Sequence, residues 1–228
     1  HRLFYSLLRF RLPVVSKFQD EDKGIAFDFM AENKQGTERL LTGHDHGLIT
    51  LNIDEADDAI REMARNQMEE VYRTVLGHFR HEIGHYYWDQ LIKDTRRLQS
   101  FRNLFGDETT DYGEALQQHY SKPASNAWTE KFISAYASAH PWEDWAETWA
   151  HYMHIVDTME TAYSFGMTLN PRVADPENEM SARLNIDPYT TNSIEDIIER
   201  WIPLSFVMNS LNRAMGMKDS YPFVITEE

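Results

Sequence analysis

The sequence contains no cysteine. Disulfides, thiol catalysis and cysteine-ligated zinc are therefore excluded within this chain, although the absence leaves the cellular compartment open. No apolar run approaches the ~20 residues that cross a bilayer, so no transmembrane helix is expected and a cytoplasmic location is the working expectation. Positive charge is scarce: 22 Lys+Arg against 37 Asp+Glu leave a net charge of −15. Such a surface repels phosphate backbones and anionic membranes, which argues against nucleic acid or a membrane as a direct partner. Part of the acidity can instead serve a bound cation or attract a basic substrate. An initiator Met is also lacking. The chain opens on His1, with Leu7, Leu8 and Phe10 interleaved with arginines, as expected of a fragment or processed product that begins inside a helix, its targeting signal lost with the missing part.

What remains is an ordinary globular balance, with 42% hydrophobic and 26% charged residues, enough over this length to bury a core. The periodicity predicts a short amphipathic helix over 2–11, closed near Pro13. Ile25, Phe27 and Phe29 alternate as in a strand over 24–31. Two further strands are expected at Arg39–Thr42 and Leu48–Ile53, joined by a hairpin turn at His44-Asp45-His46-Gly47. From 55 to 93 the pattern turns helical without proline, as one long helix or two in tandem. Helices are also expected at 111–120, at 127–139 and from Pro141, a residue suited to a first helical turn, to about Tyr163. Residues 166–188 read as loop. Asn192 with Glu195 resembles a capping box opening a helix to about Met215, kinked at Pro203. A short extended tail, Tyr221–Ile225, closes the chain. A small antiparallel sheet followed by helices makes the fold class α+β. The whole of 1–228 reads as one domain: 1–54 helix and sheet, 55–165 the chemistry-bearing helices, 166–228 loop and C-terminal helix.

The informative stretch is Gly77-His78-Phe79-Arg80-His81-Glu82-Ile83-Gly84-His85-Tyr86-Tyr87-Trp88-Asp89. His81 and His85, one helical turn apart, stack on one face, where both imidazoles can grip one zinc ion. Glu82 sits one step round, placed to take a proton from metal-bound water. HExxH strings also arise by chance in histidine-rich chains, so the context decides. His78, His81, Glu82, His85 and Asp89 fall within about 100° of helical arc. Most of the rest of the helix is apolar, which reads as a buried helix. A buried stripe of five ionisable groups is costly unless something pairs them, and a metal does so. Gly84 costs about 1 kcal/mol against alanine in mid-helix and points to a close neighbour there.

A catalytic zinc site needs a third protein ligand. On the stretch Pro141–His151, Glu143, Glu147, His151 and His154 share one helical face, opposite Trp142, Trp145, Trp149, Met153 and Val156. Standing alone this is equally the pattern of a surface helix with its tryptophans in the core and its acids in water.

Glu-x-x-x-Glu downstream of HExxH resembles the gluzincin arrangement of the zincins. More closely, the His81–Asp89 block together with Ser134–Glu147 resembles the bacterial "putative zinc-binding metallopeptidase" family, and the likeness extends through Leu48–Asp57 and Leu211–Gly216. The resemblance implies a zincin-like α+β fold, the small sheet packed on the HExxH helix. It also implies one zinc ion held by His81, His85 and Glu143. Glu147 would support the His81 ring, and Tyr136, seven residues before Glu143, would be a catalytic tyrosine. Family members carry an N-terminal cysteine-rich zinc ribbon, which this chain lacks.

The mechanism expected is hydrolysis of a peptide or protein substrate by zinc-activated water. Glu82 is the general base, and Tyr136 or His151 donates to the oxyanion. Asp89 or His78 is expected to orient His85, and His78 reads equally as a satisfied buried histidine. Asp144 is expected at the solvent or capping a neighbour, and His140 in local structure. Leu48–Ile53 is the candidate strand for pairing with an extended substrate. His44 and His46 beside it read as turn residues within reach of substrate. Two competing readings stay open. One is a zinc-stabilised interaction module without turnover, which needs no Glu82. The other is a helical di-metal carboxylate protein, for which a second Glu-x-x-His is missing. The oligomeric state is not legible.

Overall fold

Local capping explains where the principal helices begin. The computed structural model describes residues 1–31, 43–67, 73–121, 128–172 and 179–225. α1 (Arg2–Arg9) is followed by β1 (Ala26–Met30), β2 (Gly43–Asp45) and β3 (Leu48–Asn52), then by a 3-10 turn at Ile53–Ala56 and α2 (Asp58–Gln67). α3 (Val75–Leu91) starts where Thr74 Oγ1 accepts the Gly77 N–H at 2.9 Å, a side-chain N-cap. α4 (Leu98–Phe105) and α5 (Tyr112–Ser121) precede α6 (Pro141–Ser164), which has proline at its first position and Glu143 and Asp144 in its first turn. β4 (Thr168–Leu169) and β5 (Ala182–Arg183) form a two-stranded pair, and α7 (Ile194–Ala214) ends the helical series.

The architecture is mixed α+β, with several differences from the sequence expectation. The three-stranded sheet has the order β1-β3-β2; β1 and β3 run parallel, so it is mixed rather than antiparallel. Side-chain alternation is the same for both strand directions, so the sequence pattern could not distinguish them. β3 is consequently central, not an edge. The edge beside β3 is β2, which takes in His44 and Asp45; the turn itself is only His46-Gly47, both at positive φ (44° and 83°), as a two-residue hairpin turn requires. The expected strand Arg39–Thr42 lies outside the described residues. No long helix runs through 128–139. Ser134 Oγ accepts the Ala137 N–H and Ser138 Oγ donates to Ala135 O, local bonds that compete with helix, and only a 3-10 turn forms at Ala137–Ala139. The C-terminal helix is capped by Ser193, one residue later than expected, through the Asp196 N–H. α4 was not foreseen, and the segment read as loop after Gly166 contains β4 and β5.

The chain forms two compact units, 1–151 with 223–228, and 152–222. In the first, α3 is buried through Ile83, Tyr86, Tyr87 and Trp88. Trp88 packs with Ile92 and Phe101, backed by Trp142 and Trp145. Tyr86 and Tyr87 donate to the carbonyls of Lys23 and Pro13, tying the N-terminal segment to α3. Phe27 on β1 meets Phe79 on α3 at 5.8 Å between centroids. The second unit is built on Met153, Val156, Met159, Ile197, Trp201 and Leu204. Trp201 lies edge-on to Tyr221 at 4.8 Å, and Tyr189 donates to the buried Asp157.

Candidate metal centre

Two helices supply the centre, and a glycine sets their approach. A Cβ on Gly84 of α3 would lie 3.1 Å from Ala146 Cα and 3.2 Å from Trp149 Cβ on α6, so the helices pass closely where both side chains are small. Trp145 Nε1 donates to Gly84 O at 2.9 Å and holds the crossing. His81 and His85 flank Gly84, and Glu143 and Glu147 flank Ala146. The crossing therefore brings the two pairs face to face. The acidic face of α6 is not in water: Glu143 is 1% exposed.

His81 Nδ1 bonds Glu147 Oε1 at 2.7 Å, and Ser134 Oγ donates to Glu147 Oε2 at 2.7 Å. An ionised carboxylate only accepts, so His81 carries its proton on Nδ1 and turns Nε2 toward the centre. His81 Nε2 is 3.2 Å from His85 Nε2 and 2.9 Å from Glu143 Oε2, and the last two are 3.6 Å apart. Glu143 Oε2 is buried with no hydrogen-bond partner. Three atoms able to ligate a metal thus converge on one point. Ligands at ~2.0–2.1 Å on a tetrahedral zinc stand about 3.3 Å apart, so the donor set fits that ion. His81, His85 and Glu143 form one group able to hold a metal ion. Electrostatics agree. Burial opposes ionisation of Glu143 and Glu147, but the two histidines hold Glu143 well below the carboxylate range, and His81 with His151 and Ser134 brings Glu147 to about 2. Burial likewise opposes charging His81, yet the two carboxylates raise it well above the usual histidine range.

The cluster opens into a cleft of about 340 Å³ whose walls include His81, Glu82, His85, Glu143, Tyr112 and Tyr136, with Gly43, His44 and Asp45 of β2 on another side. Tyr136 lies 5.8 Å from the His81 ring between centroids. Burial, Glu143 and a bond to Tyr112 push its phenol far up, so it stays a donor. Other expected residues are elsewhere. His78 sits against Glu55, which also takes a bond from Arg73 at 2.7 Å, and does not line the cleft. His151 is buried edge-on to Phe223 at 4.2 Å and is also absent from the cleft wall; burial brings its pKa to about 4. Asp89 lines the cleft but faces Lys93 at 3.5 Å; among the described residues neither it nor His78 hydrogen-bonds His85. Asp144 is half-buried rather than at the solvent, and burial beside Glu147 raises it to about 7. His140 is local structure: it bonds Thr110 O and accepts the Trp142 N–H.

Two participants were not found from sequence. Tyr112 OH donates to Glu143 Oε1 at 2.7 Å, and Ser134 holds Glu147. His44, expected as a turn residue within reach of substrate, lies on β2 and lines the cleft. No spacing signal marks Tyr112, which lies on a different helix from the acid it holds.

Residues 1–228 match the family described as "putative zinc-binding metallo-peptidase". The chain belongs to that family. This metallo-peptidase family member is 44% identical over 225 residues to uncharacterized proteins of Mycobacterium bovis and Mycobacterium tuberculosis, covering 98% of this chain and 62% of each relative. It therefore spans less than two thirds of the length of these relatives. No solved structure matches it. Among the described residues, no helix of the family member is long and apolar enough to cross a membrane.

Proposed function

We propose that this chain is a zinc-dependent hydrolase that cleaves peptide bonds, with a gluzincin-type site in a zincin-like fold. The observation that carries the reading is the convergence of His81 Nε2, His85 Nε2 and the unpartnered, buried Glu143 Oε2 within 3.6 Å of one another. These three side chains would hold one zinc ion, which supplies a Lewis acid and lowers the pKa of water to about 7. Glu82, on the same cleft and 8% exposed, takes the proton of the attacking water as the C–O bond forms. It returns that proton to the leaving nitrogen as the C–N bond breaks. Tyr136 donates to the developing oxyanion. Glu147 and Ser134 fix the His81 ring, and Tyr112 fixes Glu143.

The test is Glu82→Gln in the full chain, read by zinc content and by hydrolysis of casein. The expected result is unchanged zinc with kcat reduced about 10²–10⁴-fold. Undiminished hydrolysis would remove Glu82 as the base. A zinc-loaded wild type that cuts nothing would favour the zinc-stabilised interaction module.

A further inference from the structure

We propose that His44 is a substrate-binding residue, its Nδ1–H donating to a carbonyl oxygen of an extended peptide laid along the edge of β2 that no strand among the described residues occupies. The inference rests on the hydrolase reading of the same cleft.

The tautomer follows from one bond. The backbone N–H of Gly47 donates to His44 Nε2 at 2.9 Å. A nitrogen that accepts has a lone pair, so the ring is neutral and its hydrogen is on Nδ1. No second hydrogen bond to this ring occurs among the described residues, and Nδ1 is not a buried orphan. It is a donor left open in a cleft wall. The ring lies nearly parallel to that of the ligand His85, at 13° and 6.4 Å between centroids, and edge-on to Tyr86. This places the His44 ring beside His85, whereas Tyr136 packs on His81.

The support is rigid. Gly47 has φ +83°, and a Cβ there would meet Gly24 O at 2.2 Å, so only glycine fits. Gly47 O accepts the Ala26 N–H at 2.9 Å. The hairpin that orients the imidazole is thus pinned to β1. The register adds a second point of attachment. A two-residue turn makes Asp45 and Leu48 the hydrogen-bonded pair, so His44, opposite Ile49, turns its own N–H and C=O away from β3 to the outer edge of β2. A strand added there pairs with the His44 backbone while its side chain faces the cleft.

A purely structural role would be to cap the turn through Nε2, and one replacement separates the two. Nδ1-methylhistidine at position 44 keeps the Nε2 acceptor and removes the Nδ1 donor. The zinc-loaded full chain is first offered a pool of random-sequence peptides, and the peptide cut fastest is used for kinetics. With the methylated residue, the expected result is unchanged zinc content and Tm with kcat/KM lower by about 10²-fold. In wild type, a phosphinic analogue of that peptide is expected to move the His44 Nδ1–H proton resonance downfield. Kinetics equal to wild type, or an unmoved resonance with the analogue bound, would leave His44 as a turn cap and overturn the proposal. Activity lost in His44→Ala but retained in the methylated protein would overturn it in the same way. A zinc-loaded wild type that cuts no peptide of the pool overturns the hydrolase reading, and the role of His44 with it.

Discussion

Tyr112 on α5 donates its hydroxyl to Oε1 of Glu143 on α6 at 2.7 Å, leaving the other carboxylate oxygen to face His81 and His85. The bond divides the labour of one carboxyl group: one oxygen is fixed, and the other is free for a cation. Tyr112→Phe is therefore expected to lower zinc affinity about 10–100-fold, the usual effect of removing a residue that orients a ligand. Competition with a chelating dye measures it. Unchanged affinity would show that Glu143 is held by packing alone.

Glu143 is the proposed third donor. Wild-type protein purified without chelators is expected to carry one zinc per chain, and Glu143→Ala to lose it or bind it far more weakly. Elemental analysis decides. Two metals or iron in the wild type would favour the di-metal reading, and no metal even after zinc addition would end the zinc reading.

Under the zinc reading, proton and metal are expected to compete for the centre. In chelator-stripped protein the Glu143 and Glu147 carboxylates hold the His81 pKa well above its usual value. The folded value exceeds the unfolded one, so this stabilisation is complete below pH ~6.5 and is lost as pH rises through the raised folded value. Glu147 behaves oppositely. Its pKa of about 2 lies below the unfolded value, so its contribution is present above pH ~4.3 and disappears as pH falls toward 2. Metal-free protein should thus lose urea resistance on going alkaline. Zinc uptake at neutral pH should release a proton, with affinity falling as pH drops. Calorimetry in buffers of different ionisation enthalpy counts the proton, and an absence of proton release contradicts the scheme.

Gly84→Ala tests the helix crossing. The new methyl meets Ala146 and Trp149 at 3.1–3.3 Å. Overpacking of this kind costs about 1–3 kcal/mol, against a gain of about 1 kcal/mol in helix propensity. Net destabilisation in urea is expected, together with weaker zinc binding because the ligand pairs move apart. A stabilised variant with full zinc affinity would show that the crossing has slack.

The sequence by itself determined what one helix can encode. His81 and His85 share a face of α3, and Glu143 and Glu147 a face of α6, because 3.6 residues per turn follow from backbone geometry alone. The α+β composition and most helix starts were legible for the same reason: caps and periodicity are local. The tertiary structure alone decided the rest. The direction of β1 leaves no mark on side-chain alternation, so a central β3 and an edge β2 could not be read from the pattern. His78, His151 and Asp89 fit the helical arcs as well as His81, His85 and Glu143 did, and differ from them only in what packs opposite. Tyr112, Ser134 and His44 reach the centre from other elements. Their arrival depends on how closely α3 and α6 cross at Gly84 and on how a two-residue turn seats against Gly24. Those are contacts between residues far apart in the chain, and no local spacing records them.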